Sequence, residues 1–592
     1  MDTSADDVLG HILGKQIDKQ DALQRVNLLA PDERSRVVAT LKATLNTDVE
    51  ADAPPDAHPK RLAVTRKPVH EGELSEQNKQ FIETLIELFV ERTATSKRNA
   101  LMHQAYFVDQ RKVAGLKRAL KPMQYQLTYE KAEGAYLYDV DGNKYVDITG
   151  DQGVNFFGHQ AGFITQALKT RLGQGYPLVG YSEDLFEAAR LFCELTGHER
   201  MVYTQSGTEA VMWAVRMARA ATGRKKVVIF DGSYHGLSDT VLAMRGRDGS
   251  TLSAGLGMLQ EFADQLIIVD YGDMDHLSLI EKNAADIACV LTEPIQSRFP
   301  SRQPHEFVKA LRTLTLEKGI VLIFDEMITG FRAGRKGAEA FYQVKPDLAT
   351  YGKVAGGGMP TGIIAGLSKY MDYIDGGVWE LDDASMPSLR RAVMAGTHTQ
   401  NSLKVSASLA VMQEMQRLCI ADECSPLTCA CPIGQLNRRT KAMCDDINAY
   451  CHDKRVPLSI EYFTSLFRVS LGHDPYGIVR ELLMILLKTN GVETSLSGNN
   501  FLNLAHTDED ARGVVDGFRR SVDTLLEHGF FVESEMTEKA STATAEKYAA
   551  IRISGAAASG EKSISGGSDT EFPLHRLMEM VLADLRSVNT QG

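Results

Sequence analysis

The sequence lacks a long apolar run, a basic N-terminal segment and any excess of positive charge. No uninterrupted apolar run approaches the ~18 residues that a bilayer-spanning helix needs. The chain opens with Met1-Asp2-Thr3-Ser4, without the basic and apolar segments of a secretory signal. Its net charge of −12 argues against generic binding to nucleic acid or to anionic membranes. We therefore expect a soluble cytoplasmic protein with neither nucleic acid nor a membrane as a partner.

Cysteine is scarce, with 8 among 592 residues, and most of it falls in one stretch. That stretch contains Cys419, Cys424, Cys429, Cys431, Cys444 and Cys451. The spacing includes no Cys-x-x-Cys pair and no adjacent pair of histidines, so it is not typical of a metal site. We expect reduced thiols and no bound metal, and a redox-sensitive disulfide in this stretch stays open.

Composition and hydrophobic spacing divide the chain into seven segments. They are an N-terminal helical segment over 1–50, a linker over 51–74, a helical segment over 75–121, a small N-terminal part with the large domain over 122–400, a smaller C-terminal domain over 401–533, a disordered linker over 534–570 and a candidate C-terminal helix over 571–592. In the third segment Phe81, Leu85, Leu88 and Phe89 recur at helical spacing, which predicts one long helix over about 75–102. For 571–592 a weakly ordered tail is the alternative.

Short apolar strands alternate with helical patterns through the large domain. The predicted strands are 227–230, 266–269, 288–291, 321–324, 348–351 and 363–365, and the helices between them include 209–221 and 305–318. Before them, two short strands flank Asp141-Gly142-Asn143, which is a hairpin signal. Such alternation predicts an α/β fold with a mostly parallel sheet covered by helices on both faces.

Two charged residues stand at the ends of apolar strands, where ligands gather in parallel sheets. Asp325 ends one strand, and Lys353 follows the next, just before Gly356-Gly357-Gly358. A buried carboxylate or ammonium is costly without a partner, and pyridoxal phosphate offers one to each. Its aldehyde condenses with a lysine amine, and its ring nitrogen pairs with a carboxylate. A surface lysine and a helix-capping aspartate are the alternative.

The segment Thr204-Gln205-Ser206-Gly207-Thr208-Glu209-Ala210 lies at the start of a predicted helix. Free backbone N–H groups and the positive end of the helix dipole make such a position suitable for a phosphate. The Ser206 and Thr208 hydroxyls would add donors. An ordinary Ser N-cap is the alternative reading of this segment.

Three further residues follow strand ends or lie in turns. Tyr234, in Ser233-Tyr234-His235-Gly236, could stack on a planar cofactor, although a core Tyr and a hydrogen-bonded His are more usual. Glu293 adds a carboxylate to the same edge. Thr397, in Ala395-Gly396-Thr397-His398, could donate to phosphate or belong to an ordinary loop.

Taken together, the motifs SGTEA, SYHG, EPIQS, IFDEMITGFR, TYGK-VAGGGMPTG and AGT resemble the class III pyridoxal-phosphate-dependent aminotransferases of fold type I. The resemblance covers roughly 122–533. Within the family it is closest to the glutamate-1-semialdehyde aminomutase-like branch, and closer still to the aminotransferase domains of hybrid polyketide/non-ribosomal-peptide synthases. The segments that point to the synthase-embedded domains are 157–159, 220–224, 351–353 and 504–510.

The resemblance implies a role for each candidate residue and a large domain followed by a smaller α/β domain. Thr397 would reach the phosphate of the partner subunit, since the family's sites lie at a homodimer interface. The other implied roles are cofactor attachment and proton transfer for Lys353, pairing with the ring nitrogen for Asp325, phosphate binding for Ser206, Gly207 and Thr208, ring stacking for Tyr234 and a place beside the substrate for Glu293. Three residues after Asp325, many members of the family have a Gln, whereas this chain has Ile328. The aminomutase-like branch also tends to have an apolar residue at this position, which supports the branch assignment.

The reaction that the resemblance implies is transamination. An amino-acid donor would supply nitrogen to a keto acceptor, in the synthase-embedded relatives a β-keto acyl chain on a carrier protein used in natural-product biosynthesis. An intramolecular aminomutase, a free-standing amine or keto-acid transaminase and a non-enzymatic scaffold of a biosynthetic assembly remain as alternatives. Arg332 and Arg468 could neutralise a substrate carboxylate or phosphate, but surface or structural ion pairs are more usual for such residues, and we leave both out of the site.

Overall fold

A computed structural model describes residues 73–531, apart from residue 247, residues 419–428, residue 473 and residues 496–497. Before residue 73 it describes only five isolated positions, namely Leu9, Leu29, Arg36, Val37 and Thr40. The described residues from 73 onward belong to one compact unit, Val64–Ala556. The segments predicted over 1–50, 534–570 and 571–592 lie almost wholly outside the described residues. The predicted domain boundaries stay predictions.

The strands are numbered in chain order. They are β1 Tyr129–Glu133, β2 Tyr136–Asp139, β3 Lys144–Asp147, β4 Arg200–Thr204, β5 Lys226–Phe230, β6 Ala243–Arg245, β7 Thr251–Ser253, β8 Leu266–Val269, β9 Ile287–Thr292, β10 Val321–Asp325, β11 Leu348–Tyr351, β12 Gly362–Gly366, β13 Leu458–Phe463, β14 Leu466–Leu471, β15 Val492–Glu493 and β16 Asn499–Phe501.

The helices are numbered in the same way. They are α1 Glu76–Arg92, α2 Ala94–His103, α3 Gly150–Gly153, α4 Gly162–Gln174, α5 Glu183–Thr196, α6 Gly207–Thr222, α7 Gln260–Ala263, α8 Asp275–Lys282, α9 His305–Lys318, α10 Gly337–Tyr342, α11 Ser368–Asp375, α12 Ser402–Leu418, α13 Pro432–Asp453, α14 Val479–Thr489 and α15 Asp508–Glu527. Two 3-10 turns, Lys121–Met123 and Val354–Gly356, complete them. Among these helices none is long and apolar enough to cross a membrane.

A seven-stranded sheet forms the centre of the molecule, in the order β4-β12-β11-β10-β9-β5-β8. Its central strands β9, β10 and β11 are buried at every residue, as apolar runs covered on both faces should be. Two apolar clusters pack against the sheet, one of them including the inner face of α6. The predicted α/β fold with a mostly parallel sheet is confirmed.

One strand of this sheet runs against the others. β12 pairs antiparallel with both β11 and β4, whereas the remaining pairings are parallel. The link from β11 to β12 covers only 352–361, and a parallel crossover needs a dozen or more residues. The chain therefore returns as an antiparallel neighbour.

The helix predicted over about 75–102 is broken. α1 ends at Arg92 and α2 begins at Ala94, and Thr93 between them has φ −126° and ψ 34°. The Thr93 hydroxyl donates to the Phe89 carbonyl over 2.6 Å and lies 2.6 Å from the Tyr125 hydroxyl. Leu88, expected on the apolar face, is 49% exposed, because Ile82 shares the buried face with Leu85 and Phe89.

Two smaller sheets accompany the large one, and the first of them joins early and late parts of the described chain. The predicted hairpin forms as β2 and β3, within a sheet of order β1-β2-β3-β15. β15 runs parallel to β3, with Val492 beside Val146. The order of the third sheet is β13-β14-β16. The early and late parts of the chain thus share one sheet beside the large one.

The cysteines that the structure describes are free thiols. Cys444 and Cys451 are buried in α13, where burial raises the pKa of both thiols. The Cys431 N–H donates to the Cys429 sulfur over 3.4 Å. Cys419 and Cys424 lie outside the described residues, so the state of the whole stretch stays a prediction.

Candidate active site

Five parallel strands end at one edge of the large sheet, and the candidate residues follow those ends. β10 ends with Asp325, β11 is followed by Lys353, and β9 is followed by Glu293. Tyr234 lies in the loop after β5, and Ser206 follows β4. Because parallel strands point their carboxyl ends the same way, the fold brings these predicted residues to one edge.

Asp325 is buried and held by three groups. One carboxylate oxygen lies 2.8 Å from Nδ1 of His235. The other accepts the Thr350 hydroxyl over 2.9 Å and the Met327 N–H over 3.2 Å. A carboxylate offers about four lone-pair positions, so this one retains room for another donor. That capacity is what pairing with a protonated ring nitrogen requires.

Lys353 is also set in a charged environment. Its Nζ donates to the Gln152 carbonyl over 2.8 Å. Burial, and then the guanidinium of Arg332, lower the pKa of Lys353 to about 8, while Glu293 and Asp325 act in the opposite direction. An amine with a pKa near 8 is substantially neutral in mildly alkaline solution, and only a neutral amine attacks an aldehyde.

The start of α6 offers backbone donors beside this edge. Ser206 caps the helix, with its Oγ accepting the Glu209 N–H over 3.2 Å. The Thr208 hydroxyl accepts the Leu237 N–H over 3.2 Å, which ties the loop after β5 to the helix. The first N–H groups of a helix lack intrahelical partners, and their dipole favours an anion. A 16-residue helix that begins at Gly207, directly after its cap Ser206, suits a phosphate group.

Glycine is required where the loops of this edge approach each other. A Cβ on Gly207 would lie 3.0 Å from the Met327 sulfur, and one on Gly352 would lie 2.4 Å from the same atom. A Cβ on Gly236, where φ is +89°, would lie 2.6 Å from the Thr208 hydroxyl oxygen. Close backbone approach without side chains is the property that phosphate-binding loops use.

Glu293 and Tyr234 are joined through the backbone. One Glu293 oxygen accepts the Tyr234 N–H over 2.7 Å, and the other accepts the Ser297 N–H over 2.9 Å. Burial raises the pKa of Glu293, with the Asp325 charge adding to it, whereas His235 and the two N–H donors lower it. The Tyr234 ring is 50% exposed, and burial and the Asp325 charge raise the pKa of its hydroxyl. Glu293 therefore fixes the loop that presents the Tyr234 ring.

Thr397 stands apart from the other candidates. It is exposed, and among the residues that the structure describes no side-chain hydrogen bond joins it to them. Its turn nevertheless lies near α6, since a Cβ on Gly396 would be 2.8 Å from the Gln205 amide nitrogen.

Sequence reasoning missed several groups of this site. His235 was expected only as a hydrogen-bonded core residue, yet it contacts Asp325, and its Nε2 is buried without a hydrogen-bond partner among the described atoms. Thr350, Gln152 and Lys404 were not singled out. The Lys404 Nζ donates to the Thr204 carbonyl over 2.8 Å, and burial lowers its pKa to about 8. Thr350 could have been noticed because it shares the strand end with Lys353.

Arg332 is not the surface or ion-pair residue that the sequence suggested. Its guanidinium is fully buried between the rings of Phe156 and Phe501, at 5.0 and 4.8 Å from their centroids. It donates to the Ser465 hydroxyl over 2.8 Å and to the Gly153 carbonyl. Burial lowers the pKa of Arg332 to about 9. No carboxylate of the described residues lies within ion-pair distance of its guanidinium.

Comparison with known proteins gives a family for most of the large domain. The family model described as "Aminotransferase class-III" matches residues 118–431. A curated relative, the glutamate-1-semialdehyde 2,1-aminomutase of Methanosphaera stadtmanae, is 37% identical over 299 residues. That match covers 50% of this chain and 67% of the relative.

Two solved structures extend the similarity over nearly the whole length of the compared proteins. The β-phenylalanine aminotransferase of Variovorax paradoxus is 26% identical with a TM-score of 0.62, covering 76% of this chain and 98% of that one. The ω-transaminase of Sphaerobacter thermophilus is 25% identical with a TM-score of 0.63, covering 73% of this chain and 99% of that one.

Proposed function

Since the chain belongs to the class III aminotransferases, enzymes that use pyridoxal phosphate, we propose that it moves nitrogen from an amino-acid donor to the keto group of a β-keto acyl thioester on a carrier protein. The observation that supports the site is the pair of strand ends at β10 and β11. These place the anchored Asp325 carboxylate and the Lys353 amine at one edge, beside the open start of α6.

We propose the following division of work within the chain. Bound pyridoxal phosphate would withdraw electrons from the bonds at the amino carbon of the substrate. The Lys353 Nζ would hold the cofactor and afterwards accept and return the proton at that carbon. Asp325, fixed by His235 and Thr350, would remain an acceptor for the ring N–H. Ser206 and the first N–H groups of α6 would hold the phosphate.

Three residues complete this arrangement. The Tyr234 ring would cover one face of the cofactor, in the position that Glu293 fixes through the backbone. The Gln152 carbonyl would receive the Lys353 amine whenever that amine is released. These assignments predict that the groups needed for proton transfer belong to one chain, whereas a second subunit could add residues elsewhere in the site.

The lowered pKa of Lys353 predicts a pH dependence of cofactor attachment. The neutral fraction of the amine increases about tenfold per pH unit below its pKa and levels off above it. The rate at which cofactor-free protein binds pyridoxal phosphate covalently should therefore rise from pH 6 to about 8 and then flatten. Stopped-flow absorbance measures this rate. A rate that still climbs tenfold per unit through pH 10, as for an ordinary lysine, would contradict the prediction.

The nature of the acceptor is the finer part of the proposal. It is supported by the resemblance to synthase-embedded aminotransferase domains, and by similarity to an enzyme named for β-phenylalanine. In both comparisons, the synthase-embedded domains and the β-phenylalanine enzyme, the nitrogen is carried at the β position rather than the α position. These 592 residues contain no Asp-Ser-Leu carrier attachment site, so the attachment serine of the proposed carrier would lie outside them.

An amine-transfer assay with a panel of amino donors tests this proposal. The acceptor mass would be read both on a carrier protein and as the free keto acid. We expect transfer to the carrier-bound chain to exceed transfer to the free acid clearly. Equal activity on the two would favour a free-standing transaminase.

An aminomutase is a second candidate function, because the Methanosphaera relative is named as one. It needs a separate test. The pyridoxamine form is mixed with the keto acceptor in the absence of any donor. A transaminase stops after one turnover, because nothing restores its amino group. Continued turnover of a single substrate under these conditions would favour the aminomutase.

We also propose a homodimer. Large apolar side chains are exposed in three loop regions of the single chain, and their burial against a second subunit would be favourable. They include Tyr106, Phe107, Val108, Val179, Tyr181, Val378, Leu381 and Leu389. The exposure of Thr397 fits a role toward the phosphate of a partner subunit.

Sedimentation analysis checks the dimer. The expected mass is twice the 65.2 kDa of the chain. The Val179→Asp variant places a charge on this surface and should shift the protein toward monomer and lower its activity. The Lys282→Asp variant, which changes an exposed charged residue of α8 outside these three loops, is the control. A wild-type protein that sediments as a monomer at micromolar concentration would refute the proposal.

A further inference from the structure

The element α3 is a left-handed turn beside Lys353. All four of its residues have positive φ, with 49° at Gly150, 50° at Asp151, 60° at Gln152 and 86° at Gly153. Left-handed backbone is unfavourable for a residue with a Cβ, and it persists only where surrounding contacts fix it. Asp151 and Gln152 therefore need support from other parts of the chain.

The C-terminal part of the chain gives the left-handed turn that support. The Gln152 side-chain amide donates to the Ser495 hydroxyl over 3.0 Å. Both glycines of the turn pack on Phe501 of β16. A Cβ on Gly153 would lie 2.9 Å from Cε1 of the Phe501 ring, and a Cβ on Gly150 would lie 3.7 Å from the Phe501 Cβ. The direction of the carbonyls in the turn is thus fixed by packing.

Two successive carbonyls of the turn accept hydrogen bonds from two cations. The Gln152 carbonyl accepts from the Lys353 Nζ over 2.8 Å, and the Gly153 carbonyl accepts from Nη2 of Arg332. Neighbouring Cα atoms are about 3.8 Å apart, so both cations bind to one short piece of backbone. No carboxylate of the part of the chain that the structure describes lies within ion-pair distance of either cation.

Two like charges on one piece of backbone disfavour each other, and the weaker base yields. A guanidinium holds its proton more firmly than an ammonium does. Burial lowers the pKa of Arg332 to about 9, whereas burial and then the Arg332 charge lower the pKa of Lys353 to about 8. Lys353 is therefore the first of the two to become neutral.

The other charged groups near the amine act in the opposite direction or face elsewhere. Glu293 after β9 and Asp325 of β10 both favour the charged amine. His235 faces these two carboxylates. The remaining carboxylates next to the turn face His159, and they are Asp147 and Asp151. Arg332 is therefore the cation that opposes a positive charge on the amine.

We propose that Arg332 is a positioning residue for Lys353, which acts through the left-handed turn and keeps the released amine in its uncharged, proton-accepting form at the Gln152 carbonyl. An uncharged amine can take the proton from the amino carbon of the substrate without first losing one of its own. The ammonium that this transfer forms would face the Arg332 charge, which favours return of the proton. That the amine works as a base rests on the proposed function, whereas its protonation state does not.

Competitive labelling with trace acetic anhydride measures this protonation state without cofactor or turnover. The probe is applied to the cofactor-free full chain over a range of pH, because bound cofactor would occupy the amine. Lys353 is half-buried, and peptide mass spectrometry reads its labelling separately from that of other lysines. We expect a titration midpoint near 8, against about 10.4 for an ordinary lysine. A wild-type midpoint near 10 would overturn the proposal.

The Arg332→Gln variant removes the charge and keeps a donor for the Gly153 carbonyl. The midpoint of Lys353 should rise by about one pH unit, so that the neutral fraction at pH 7 falls about tenfold. The matched control is Arg224→Gln. Arg224 also donates to backbone carbonyls, but at the opposite ends of β9 and β10, so its loss should leave the midpoint unchanged. An unchanged midpoint in folded Arg332→Gln would overturn the proposal.

A pair of variants at Ser465 tests the charge while Arg332 stays in place. The Ser465 hydroxyl accepts from Nη1 of Arg332 over 2.8 Å. Ser465→Asp places a carboxylate there and should raise the Lys353 midpoint as Arg332→Gln does. Ser465→Ala removes the hydrogen bond alone, so it should lower the melting temperature and leave the midpoint unchanged. Equal midpoints in the two Ser465 variants would overturn the proposal, even if Arg332→Gln does not fold.

The holoenzyme gives the kinetic counterpart. The acid limb of the pH profile of kcat should move to higher pH in Arg332→Gln, with little change in KM for the donor. A loss of kcat that is equal at every pH would indicate a structural role and overturn the proposal. A Lys353 amine that titrates as expected in a chain that transfers no nitrogen would refute the proposed function and leave this inference intact.

Discussion

The Lys353→Ala variant is expected to lose amine transfer by a factor of at least about 10⁴ in kcat. In the proposed mechanism the amine serves twice, as the covalent attachment of the cofactor and as the base that moves the substrate proton, so its removal would eliminate both steps. The absorbance band of covalently bound cofactor should vanish as well. Donor-dependent turnover and the spectrum of the purified protein measure the two effects independently.

The matched control is Lys369→Ala. Lys369 is an exposed lysine in α11, just after the neighbouring strand β12, where it lies over the adjacent Tyr370 ring and interacts electrostatically with Glu199. Its loss should leave activity and absorbance within about twofold of wild type. Retention of either turnover or the absorbance band in Lys353→Ala would remove the basis of the proposed mechanism.

The Asp325→Asn variant is expected to retain the bound cofactor but to lose about 10²–10³-fold in kcat. The amide has the shape of the carboxylate without its charge, so it cannot hold a ring nitrogen in its protonated form. In either orientation, the amide NH₂ group replaces an oxygen that now faces Thr350 and Met327 or faces His235. The hydrogen bonds lost in this way cost stability. A lower melting temperature should accompany the kinetic loss.

Asp231→Asn provides the comparison for this prediction. Asp231 is an exposed aspartate directly after the parallel strand β5, and its carbonyl, not its carboxylate, accepts the Gln296 amide. The substitution should therefore have little effect on rate or stability. If Asp325→Asn turns over at the wild-type rate, the carboxylate does not tune the cofactor.

The parts of the fold that the sequence predicted well are those governed by local patterns. The predicted strands 266–269 and 348–351 and the helix 305–318 match the structure to the residue. Fully buried parallel strands appear as continuous apolar runs, and each is bounded by polar or glycine residues. The placement of Asp325 and Lys353 at strand ends followed from the same patterns.

What the sequence did not predict depends on contacts between distant residues. The pairing of β15 with β3 and the burial of Arg332 between Phe156 and Phe501 join positions far apart in the chain. The His235–Asp325 contact spans 90 residues. At the helix break, the Thr93 hydroxyl lies 2.6 Å from the Tyr125 hydroxyl, a contact that no helical periodicity within 75–102 can indicate. Such contacts are decided by packing, which short-range propensity does not encode.

The hydrogen bond from the Gln152 amide to Ser495 spans 343 residues and has a consequence for biosynthesis of the protein. A nascent chain that has emerged from the ribosome only to residue 400 already contains Asp325, Lys353 and the start of α6. It still lacks Ser495 and β15, which support the segment that receives the lysine amine. We therefore expect stable loading of the coenzyme only after residue 495 has emerged, and a product that ends before it would have Lys353 without the framework that positions its amine.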